Sequence, residues 1–308
     1  MKIINISIDL DFELLFYPSF ALPLLDVHRD KVRKRWGNCA GLVIEKKNND
    51  KIKLYHSRTE CLEYAEEILG LWSLPKRIAS NVSRRYRDFV ERLVEKYEWF
   101  GIATSSQDDV EIFSSILLSK NTNFHTNVVR WIRNMLERYG CVSALLNIDM
   151  REISEYIGKS YQIYELMYVL RIYMKLRDNI LSLNDAYLLK KLLLGIKGVG
   201  LKVFNAYMLF VKKNTFYAPI DRNLVNFLKR FELTSNIVVE IPRKDLCKKY
   251  ICNSCVLKYT CSYYRFQEAF KELSGWIQTI AYVYNKTRCS KALCSTCILK
   301  DLCRERKI

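Results

Sequence analysis

One lysine and one aspartate stand out because each follows a segment that would hold its side chain in place. Lys202 comes two residues after a turn with three glycines, and Asp221 directly follows Pro219-Ile220. A lysine at a helix start among other cations is expected to have a lowered pKa, because both features disfavour the charged form. A partly neutral amine is a nucleophile that forms Schiff bases, and a carboxylate stabilises positive charge developing beside it.

Both residues also have a plain structural explanation. Lys202 is one of 50 lysines and arginines, most of which are expected on a solvated surface. Asp221 precedes a predicted helix and is a suitable N-cap for it. The catalytic interpretation therefore depends on the segments around the two residues.

The segment before the lysine predicts two helices joined by a tight turn. Asn184 is a suitable N-cap for an apolar helix over residues 184-194, and a second apolar helix begins at Leu201. The turn contains three glycines and a lysine: Gly195, Lys197, Gly198 and Gly200. Glycine permits positive φ and leaves backbone N–H groups open to a phosphate. Ordinary packing of two helices around a glycine turn is the alternative.

Eight of the eleven cysteines form two sets with identical spacing. The first set is Cys247-x4-Cys252-x2-Cys255-x5-Cys261. The second set is Cys289-x4-Cys294-x2-Cys297-x5-Cys303. Four thiolates in so short a span suit a [4Fe-4S] cluster, whereas tetrahedral zinc more often draws two cysteine pairs from separated segments. Zinc is the alternative because four sulfur ligands serve both metals.

The stretch around the lysine and the aspartate resembles the helix-hairpin-helix superfamily of DNA glycosylases, which includes endonuclease III and the 8-oxoguanine DNA glycosylases. The matching residues are Gly198-Val199-Gly200-Leu201-Lys202-Val203 and Pro219-Ile220-Asp221-Arg222-Asn223. This resemblance implies that Lys202 attacks the sugar, that Asp221 is the essential carboxylate, and that the glycine turn binds the DNA backbone. With its other matches, the resemblance covers about residues 85 to 231.

A second point of resemblance is the segment Ser119-Lys120-Asn121-Thr122-Asn123. Family members carry a Ser-x-Gln or Ser-x-Asn loop here, and its amide side chain fills the space left by the nucleotide that is flipped out of the duplex. The resemblance implies this role for Asn121, with Asn123 as a possible helper. Such enzymes extract the base because the stack shields its glycosidic bond. An asparagine-rich helix boundary is the alternative.

Endonuclease III and its relatives carry a four-cysteine iron-sulfur loop beyond their final helix, and the second cysteine set occupies that place. The resemblance therefore implies a [4Fe-4S] cluster on Cys289, Cys294, Cys297 and Cys303. The first set has no counterpart in the simple family pattern. Its alternatives are to bind a second cluster, to bind zinc, or to be a decayed copy that binds no metal. We expect both loops to have structural and DNA-positioning roles, because glycosidic hydrolysis involves no electron transfer.

These features predict a base-excision repair DNA glycosylase with abasic-site (AP) lyase activity by β-elimination. An oxidised base is expected as substrate, with 8-oxoguanine favoured over oxidised pyrimidines. One departure bears on this choice, because the 8-oxoguanine enzymes often place a cysteine one turn after the lysine and this chain has Ala206. The alternatives are a monofunctional glycosylase in which Asp221 activates water, and a non-catalytic iron-sulfur protein that only binds DNA.

Composition agrees with a nucleic-acid partner. Lysine and arginine total 50 against 33 acidic residues, giving a net charge of +17, which an anionic partner would balance. We expect double-stranded DNA with a damaged base or abasic site as the partner, no membrane contact, and a monomer. The chain lacks signal-peptide features, so we expect a cytoplasmic, nucleoid-associated protein. In a reducing compartment Cys39, Cys61 and Cys141, which lack ligand spacing, are expected to be buried thiols.

The predicted fold class is mainly α with a small amino-terminal antiparallel sheet (α+β), a helical glycosylase core and cysteine-rich metal loops at the carboxyl terminus. The predicted boundaries are 1-75 for the α+β domain, 76-245 for the core and 246-308 for the cysteine-rich region. Asp108 and Asp109 are expected to cap a helix that follows them. Further helices are expected at residues 150-157, 161-177, 184-194, 201-213, 222-231 and 262-285.

Overall fold

The amino-terminal part of the chain forms a five-stranded antiparallel sheet in the order β1-β5-β4-β3-β2. The computed structural model describes residues 1–5, 10–48, 51–78, 82–233 and 242–305. The strands are β1 (Lys2–Asn5), β2 (Leu25–His28), β3 (Lys31–Lys34), β4 (Val43–Asn48) and β5 (Lys51–Tyr55). The small antiparallel sheet that the sequence predicts is confirmed, and β4 and β5 pair with Ile44 opposite Leu54.

The remaining regular structure is helical, which confirms the predicted fold class. The shorter amino-terminal helices are α1 (Phe12–Phe16), α2 (Thr59–Ile68), α3 (Pro75–Ile78) and α4 (Arg87–Lys96). The helices of the central part are α5 (Asp109–Leu118), α6 (Val129–Tyr139), α7 (Met150–Tyr156), α8 (Tyr161–Ser182), α9 (Ala186–Gly195), α10 (Leu201–Phe210) and α11 (Arg222–Arg230). The last three helices are α12 (Lys244–Lys249), α13 (Ser262–Phe270) and α14 (Ser274–Thr287).

The sheet packs on the helical part through both apolar and polar contacts. Alternate residues of its strands, such as Val32 and Ile44, are fully buried, as the period of two requires. The buried Lys34 amine pairs with the Asp108 carboxylate and donates a hydrogen bond to Ser105 Oγ at 2.9 Å. Because breaking a buried ion pair leaves an uncompensated charge, this pair strongly favours one arrangement of sheet and helices.

The predicted capping role of Asp108 and Asp109 is wrong, because neither carboxylate caps α5. Asp108 is the N-cap residue by position but makes no side-chain cap hydrogen bond. Its carboxylate instead binds Lys34. Asp109 accepts a hydrogen bond from the Tyr173 hydroxyl at 2.6 Å and pairs with Arg177 on α8. Long-range partners therefore take both carboxylates away from the helix end.

Several predicted helix boundaries also need correction, since α8 ends at Ser182 rather than residue 177 and α10 at Phe210 rather than residue 213. The N-cap of α9 is Asp185 rather than Asn184, since the Asp185 carboxylate accepts from the N–H groups of Tyr187 and Leu188. The single helix predicted at 262-285 is two helices, α13 and α14, separated at Lys271, where φ is +47°. The break brings Gly275 against the loop between α10 and α11, where its N–H donates to the Thr215 carbonyl at 2.7 Å.

Two of the three unassigned cysteines form a disulfide, so the prediction that Cys39 and Cys61 are free thiols is wrong. Cys39 lies between β3 and β4 and Cys61 in the first turn of α2, with their Cα atoms 5.4 Å apart. The sheet brings together two residues that are 22 positions apart, and spacing alone does not reveal such a pairing. Cys141 is a free thiol but is only partly buried.

One continuous apolar cluster runs through the described part of the chain, from Leu10 to Leu299. It includes residues on both sides of the predicted boundaries near 75 and 245, which stay predictions. None of the helices in the described ranges combines the length and the apolar character needed to cross a membrane.

Candidate active site and cysteine loops

The predicted helix–turn–helix hairpin is formed by α9 and α10. The turn runs from Gly195, at the end of α9, to Gly200, the N-cap residue of α10. Gly200 provides no side-chain cap, so the first N–H groups of α10 have no side-chain acceptor from that position. Exposed N–H groups at a helix start are suited to binding an anion such as a phosphate. Lys197 is exposed in the turn and adds a positive charge.

The three glycines of the turn serve different purposes. Only Gly198 has a positive φ, at +96°, and a Cβ there would lie 2.8 Å from Glu165 Oε1 on α8. A Cβ at Gly195 or Gly200 would meet no atom within 4 Å. Of the three, Gly198 alone therefore uses the positive φ that glycine permits. Gly195 and Gly200 instead leave open space beside the backbone.

Lys202 is the second residue of α10 and is partly buried. Burial lowers the pKa of its amine below the ordinary lysine value; the nearby Lys120 ammonium also lowers it, while the Asp221 carboxylate opposes the shift. Burial dominates because desolvation penalises the charged form. The amine is thus biased toward the neutral form within electrostatic reach of a carboxylate.

Asp221 holds its carboxylate at the start of α11. Its Oδ1 accepts from the Leu224 N–H at 2.8 Å, and its Oδ2 accepts from the Asn223 side-chain amide at 3.1 Å. Asp221 is therefore an N-cap, as its position predicted. Among the described residues, no ion pair within 4 Å joins this carboxylate to Lys202. The two groups are close enough to interact electrostatically.

The loop between α5 and α6 contacts the hairpin through Lys120. The Lys120 amine donates to the Gly198 carbonyl at 3.0 Å and pairs with Glu165 at 2.5 Å. Asn121 is exposed and has a left-handed backbone with φ of +51°. The Asn123 side chain accepts from two N–H groups and caps the following helical turn. Of the two predicted asparagines, only Asn121 has a side chain that is not engaged in capping.

An aromatic group that the sequence did not reveal lies near Asp221. It consists of Tyr17, His125 and Tyr282. The rings of Tyr17 and His125 stack with centroids 4.1 Å apart, and the Tyr17 and Tyr282 centroids are 5.9 Å apart. Burial raises the pKa of Tyr282, and the Tyr17 hydroxyl and Asp221 raise it further, which places this ring within reach of the carboxylate.

Gln278 lies one turn before Tyr282 on α14. Gln278 is 6% exposed. Residues four apart on a helix share one face, so this amide and the Tyr282 ring point to the same side. The aromatic group and Gln278 together offer stacking surfaces and a polar edge, the usual elements of a base-binding pocket.

The second cysteine set surrounds a cavity of about 110 Å³ at the end of α14. All four thiols line it, together with Arg230 and Tyr284. The Tyr284 hydroxyl lies 3.0 Å from Cys297 Sγ. Burial raises the pKa of the Cys289 thiol, Arg230 opposes this, and the other three thiols of the set add to it. The donors and the cavity fit a four-thiolate cluster.

The first cysteine set lies beside α9 rather than α14. Burial raises the pKa of the Cys247 thiol to about 12, with Lys190 opposing and the other three thiols of the set adding to the shift. Because the other three thiols act on the pKa of Cys247, the four thiols lie near one another. In the part of the chain that the structure describes, no three ligand side chains converge as closely as a single metal ion requires.

Comparison with solved structures identifies the fold. A structure of MBOgg1 in complex with a low-affinity DNA ligand has a TM-score of 0.69 and 12% identity, over 92% of this chain and 94% of that one. The apo 8-oxoguanine glycosylase/lyase of Clostridium acetobutylicum has a TM-score of 0.58 and 17% identity, over 85% and 98%. The 3-methyladenine DNA glycosylase of Archaeoglobus fulgidus has a TM-score of 0.62 and 12% identity, over 93% and 99%.

No family model and no curated protein sequence matches the chain. The structural likeness nevertheless extends over almost the whole length of each neighbour. The chain therefore has the fold of these DNA glycosylase structures, as the sequence resemblance implied.

Proposed function

We propose, from the glycosylase fold and the arrangement of Lys202 and Asp221, that the protein is a DNA glycosylase with AP lyase activity. One observation carries the proposal. A partly buried lysine with a lowered pKa begins the second hairpin helix within electrostatic reach of an aspartate that begins another helix. A lysine needed only to attract phosphate would gain nothing from burial, since its charged form would be favoured in water.

The proposed chemistry uses the amine and the carboxylate at one sugar. The neutral Lys202 amine attacks C1′ as the bond from C1′ to the base nitrogen breaks, and the base leaves with that electron pair and a proton. Asp221 stabilises the positive charge that develops on the sugar. The adduct opens to a Schiff base, loss of a C2′ proton follows, and the 3′ phosphate is eliminated. Hydrolysis of the imine releases the enzyme.

In this proposal the hairpin turn, the loop before α6 and the aromatic group contact the DNA. The backbone of the duplex lies on the turn formed by Gly195, Lys197, Gly198 and Gly200, whose N–H groups carry no sequence preference. Asn121, exposed beside the hairpin, fills the stack after the nucleotide leaves. Asn123 supports the loop from its capping position. The aromatic group and Gln278 receive the extruded base.

For the substrate we propose an oxidised base, with 8-oxoguanine favoured over oxidised pyrimidines. The support is that the Clostridium acetobutylicum neighbour is named as an 8-oxoguanine glycosylase/lyase and that another structure of it holds DNA with cytosine opposite 8-oxoguanine. Ala206, where a cysteine is common in such enzymes, is fully buried in α10. Base contacts in this proposal therefore come from other residues, with Gln278 as a polar candidate on α14.

We also propose that Cys289, Cys294, Cys297 and Cys303 hold a [4Fe-4S] cluster. When bound, the cluster supplies a rigid link between the end of α14 and the carboxyl-terminal tail, and no part of the excision needs its electrons. Cytoplasmic location and action as a monomer are parts of the same proposal.

Borohydride trapping tests the proposed nucleophile. Duplexes that carry 8-oxoguanine, an oxidised pyrimidine or an abasic site are incubated with the enzyme and sodium borohydride, which reduces a Schiff base to a stable covalent adduct. We expect an adduct with the wild type and none with Lys202→Gln, while Lys191→Gln, an exposed lysine on α9, serves as the matched control and keeps it.

The two alternatives give different results in the same experiment. Base release without an adduct or a strand break would indicate a monofunctional glycosylase in which Asp221 activates water. Salt-dependent binding without any chemistry on the lesion panel would indicate a DNA-binding protein only. An adduct that persists in Lys202→Gln would contradict the assignment of the nucleophile.

A further inference from the structure

The two cysteine sets share their backbone geometry as well as their spacing. In the first set the Cys255 N–H donates to the Cys252 carbonyl at 3.3 Å, and in the second set the Cys297 N–H donates to the Cys294 carbonyl at 3.1 Å. The lysine three residues later, Lys258 or Lys300, donates its N–H to the preceding cysteine carbonyl in both sets, at 3.1 and 3.2 Å. A decayed copy would have no reason to keep this turn and all four thiols.

Each set is also accompanied by one tyrosine, which is Tyr284 for the second set and Tyr263, two residues after Cys261, for the first. In the second set the Tyr284 hydroxyl contacts Cys297 Sγ. In the first set Tyr263 is 2% exposed, and its hydroxyl has no hydrogen-bond partner within the described ranges. A buried hydroxyl without a partner is unfavourable, and a sulfur atom held by the thiols of the first set would accept its hydrogen bond.

One basic side chain accompanies each set as well. Lys190 on α9 is 6% exposed, and its amine donates to the carbonyl of Tyr250, which lies between Cys247 and Cys252 in the chain. Arg230 on α11 lines the cavity that the four thiols of the second set surround. A cluster ligated by four thiolates is anionic overall, and a buried anion requires a nearby cation. Both sets meet this requirement with residues outside their own loops.

We propose that the first set, Cys247, Cys252, Cys255 and Cys261, binds a second [4Fe-4S] cluster, and that the Tyr263 hydroxyl donates a hydrogen bond to a sulfur of that site. The cluster anchors the first hairpin helix, because Lys190 donates to the Tyr250 carbonyl at 2.9 Å and Tyr187 to the Lys249 carbonyl at 3.1 Å. This inference does not depend on the proposed glycosylase activity.

Metal and sulfide analysis tests the proposal on the full-length protein, reconstituted anaerobically with iron and sulfide. We expect about eight irons and about eight acid-labile sulfides per chain, the sum of two clusters. The variants Cys252→Ser/Cys255→Ser and Cys294→Ser/Cys297→Ser are a matched pair, and each should retain about four irons. About four irons in the wild type, or about four irons together with one zinc, would overturn the proposal, and both results are read on the wild type, so neither requires a variant to fold.

The role of Tyr263 is tested by the reduction potentials of the two clusters. A hydrogen bond to a cluster sulfur stabilises the more negative, reduced form and raises the potential. Tyr263→Phe should lower one of the two potentials, and Tyr284→Phe should lower the other. A first-set potential that does not change in Tyr263→Phe would remove the hydrogen bond from the proposal.

Discussion

The two cysteine sets have the same spacing and the same turn, yet they are attached to different halves of the candidate active site. The first set contacts α9, which leads through the hairpin to Lys202. The second set contacts α11, since the Arg304 N–H donates to the Arg230 carbonyl at 3.1 Å. Two copies of one local sequence therefore pack against two different parts of the candidate site, the hairpin and the helix that begins at Asp221.

The path from the second set to Asp221 is made of side-chain contacts. Arg230 donates to Asn285 Oδ1 at 2.6 Å, and the Asn285 amide donates to the Asn223 carbonyl at 2.6 Å. Asn223 in turn donates to the Asp221 carboxylate. Losing the second set should disturb the carboxylate, whereas losing the first should disturb the hairpin and its lysine.

The largest effect should come from removing one set at a time. Cys294→Ser/Cys297→Ser should reduce base release by about 100-fold, because a shift of about 1 Å in a catalytic group costs roughly that much. Cys252→Ser/Cys255→Ser should mainly weaken DNA binding, by about tenfold, or ~1.4 kcal/mol. Single-turnover base release and equilibrium DNA binding measure the two effects. Equal losses in both assays for both variants would show that the two sets do not support separate halves.

A smaller effect should separate the glycines within the hairpin. Gly198→Ala places a Cβ at a positive φ and against Glu165, so we expect it to lower the free energy of unfolding by about 1–3 kcal/mol. Gly200→Ala places its Cβ in open space at a negative φ, so it should lower the free energy of unfolding by less than about 1 kcal/mol. Its methyl group should still obstruct a phosphate. Urea denaturation and DNA binding measured on both variants check this. Equal DNA affinity of Gly200→Ala and the wild type would place the phosphate elsewhere.

The smallest effect should come from Lys120, which joins the loop to the hairpin. Its ammonium lowers the pKa of Lys202, so Lys120→Gln should raise that pKa and reduce the neutral fraction of the amine. Trapping near neutral pH should slow by about 2- to 10-fold, since one screened unit charge contributes roughly 1 kcal/mol. At high pH, where the amine is neutral in both proteins, the rates should converge. A constant ratio across the pH profile would mean that Lys120 acts only through positioning.

Local patterns were sufficient to predict much of this molecule from its sequence. The hairpin, the strand pair β4 and β5 and the cap at Asp221 depend on residues close together in the chain, where turn and capping preferences operate. The sequence indicates Lys202 and Asp221 as a pair, because both lie in register with one family motif. The structure adds that the two groups are within electrostatic reach.

The features that the sequence did not reveal all depend on residues far apart in the chain. The aromatic group joins Tyr17, His125 and Tyr282, which no spacing rule connects. The Cys39–Cys61 disulfide likewise depends on the sheet that brings its cysteines together. The Lys120 contact with Gly198 spans 78 residues. Such contacts are set by tertiary packing, which one sequence without an alignment does not specify.

The central claim is that the Lys202 amine is the atom that attacks the sugar. Its most direct test is to digest the borohydride-trapped protein–DNA adduct and to locate the modified residue by mass spectrometry. We predict that the remnant of the sugar is found on the peptide that contains Lys202 and on no other lysine. Modification of a different residue, such as Lys120 or Lys197, would contradict the account.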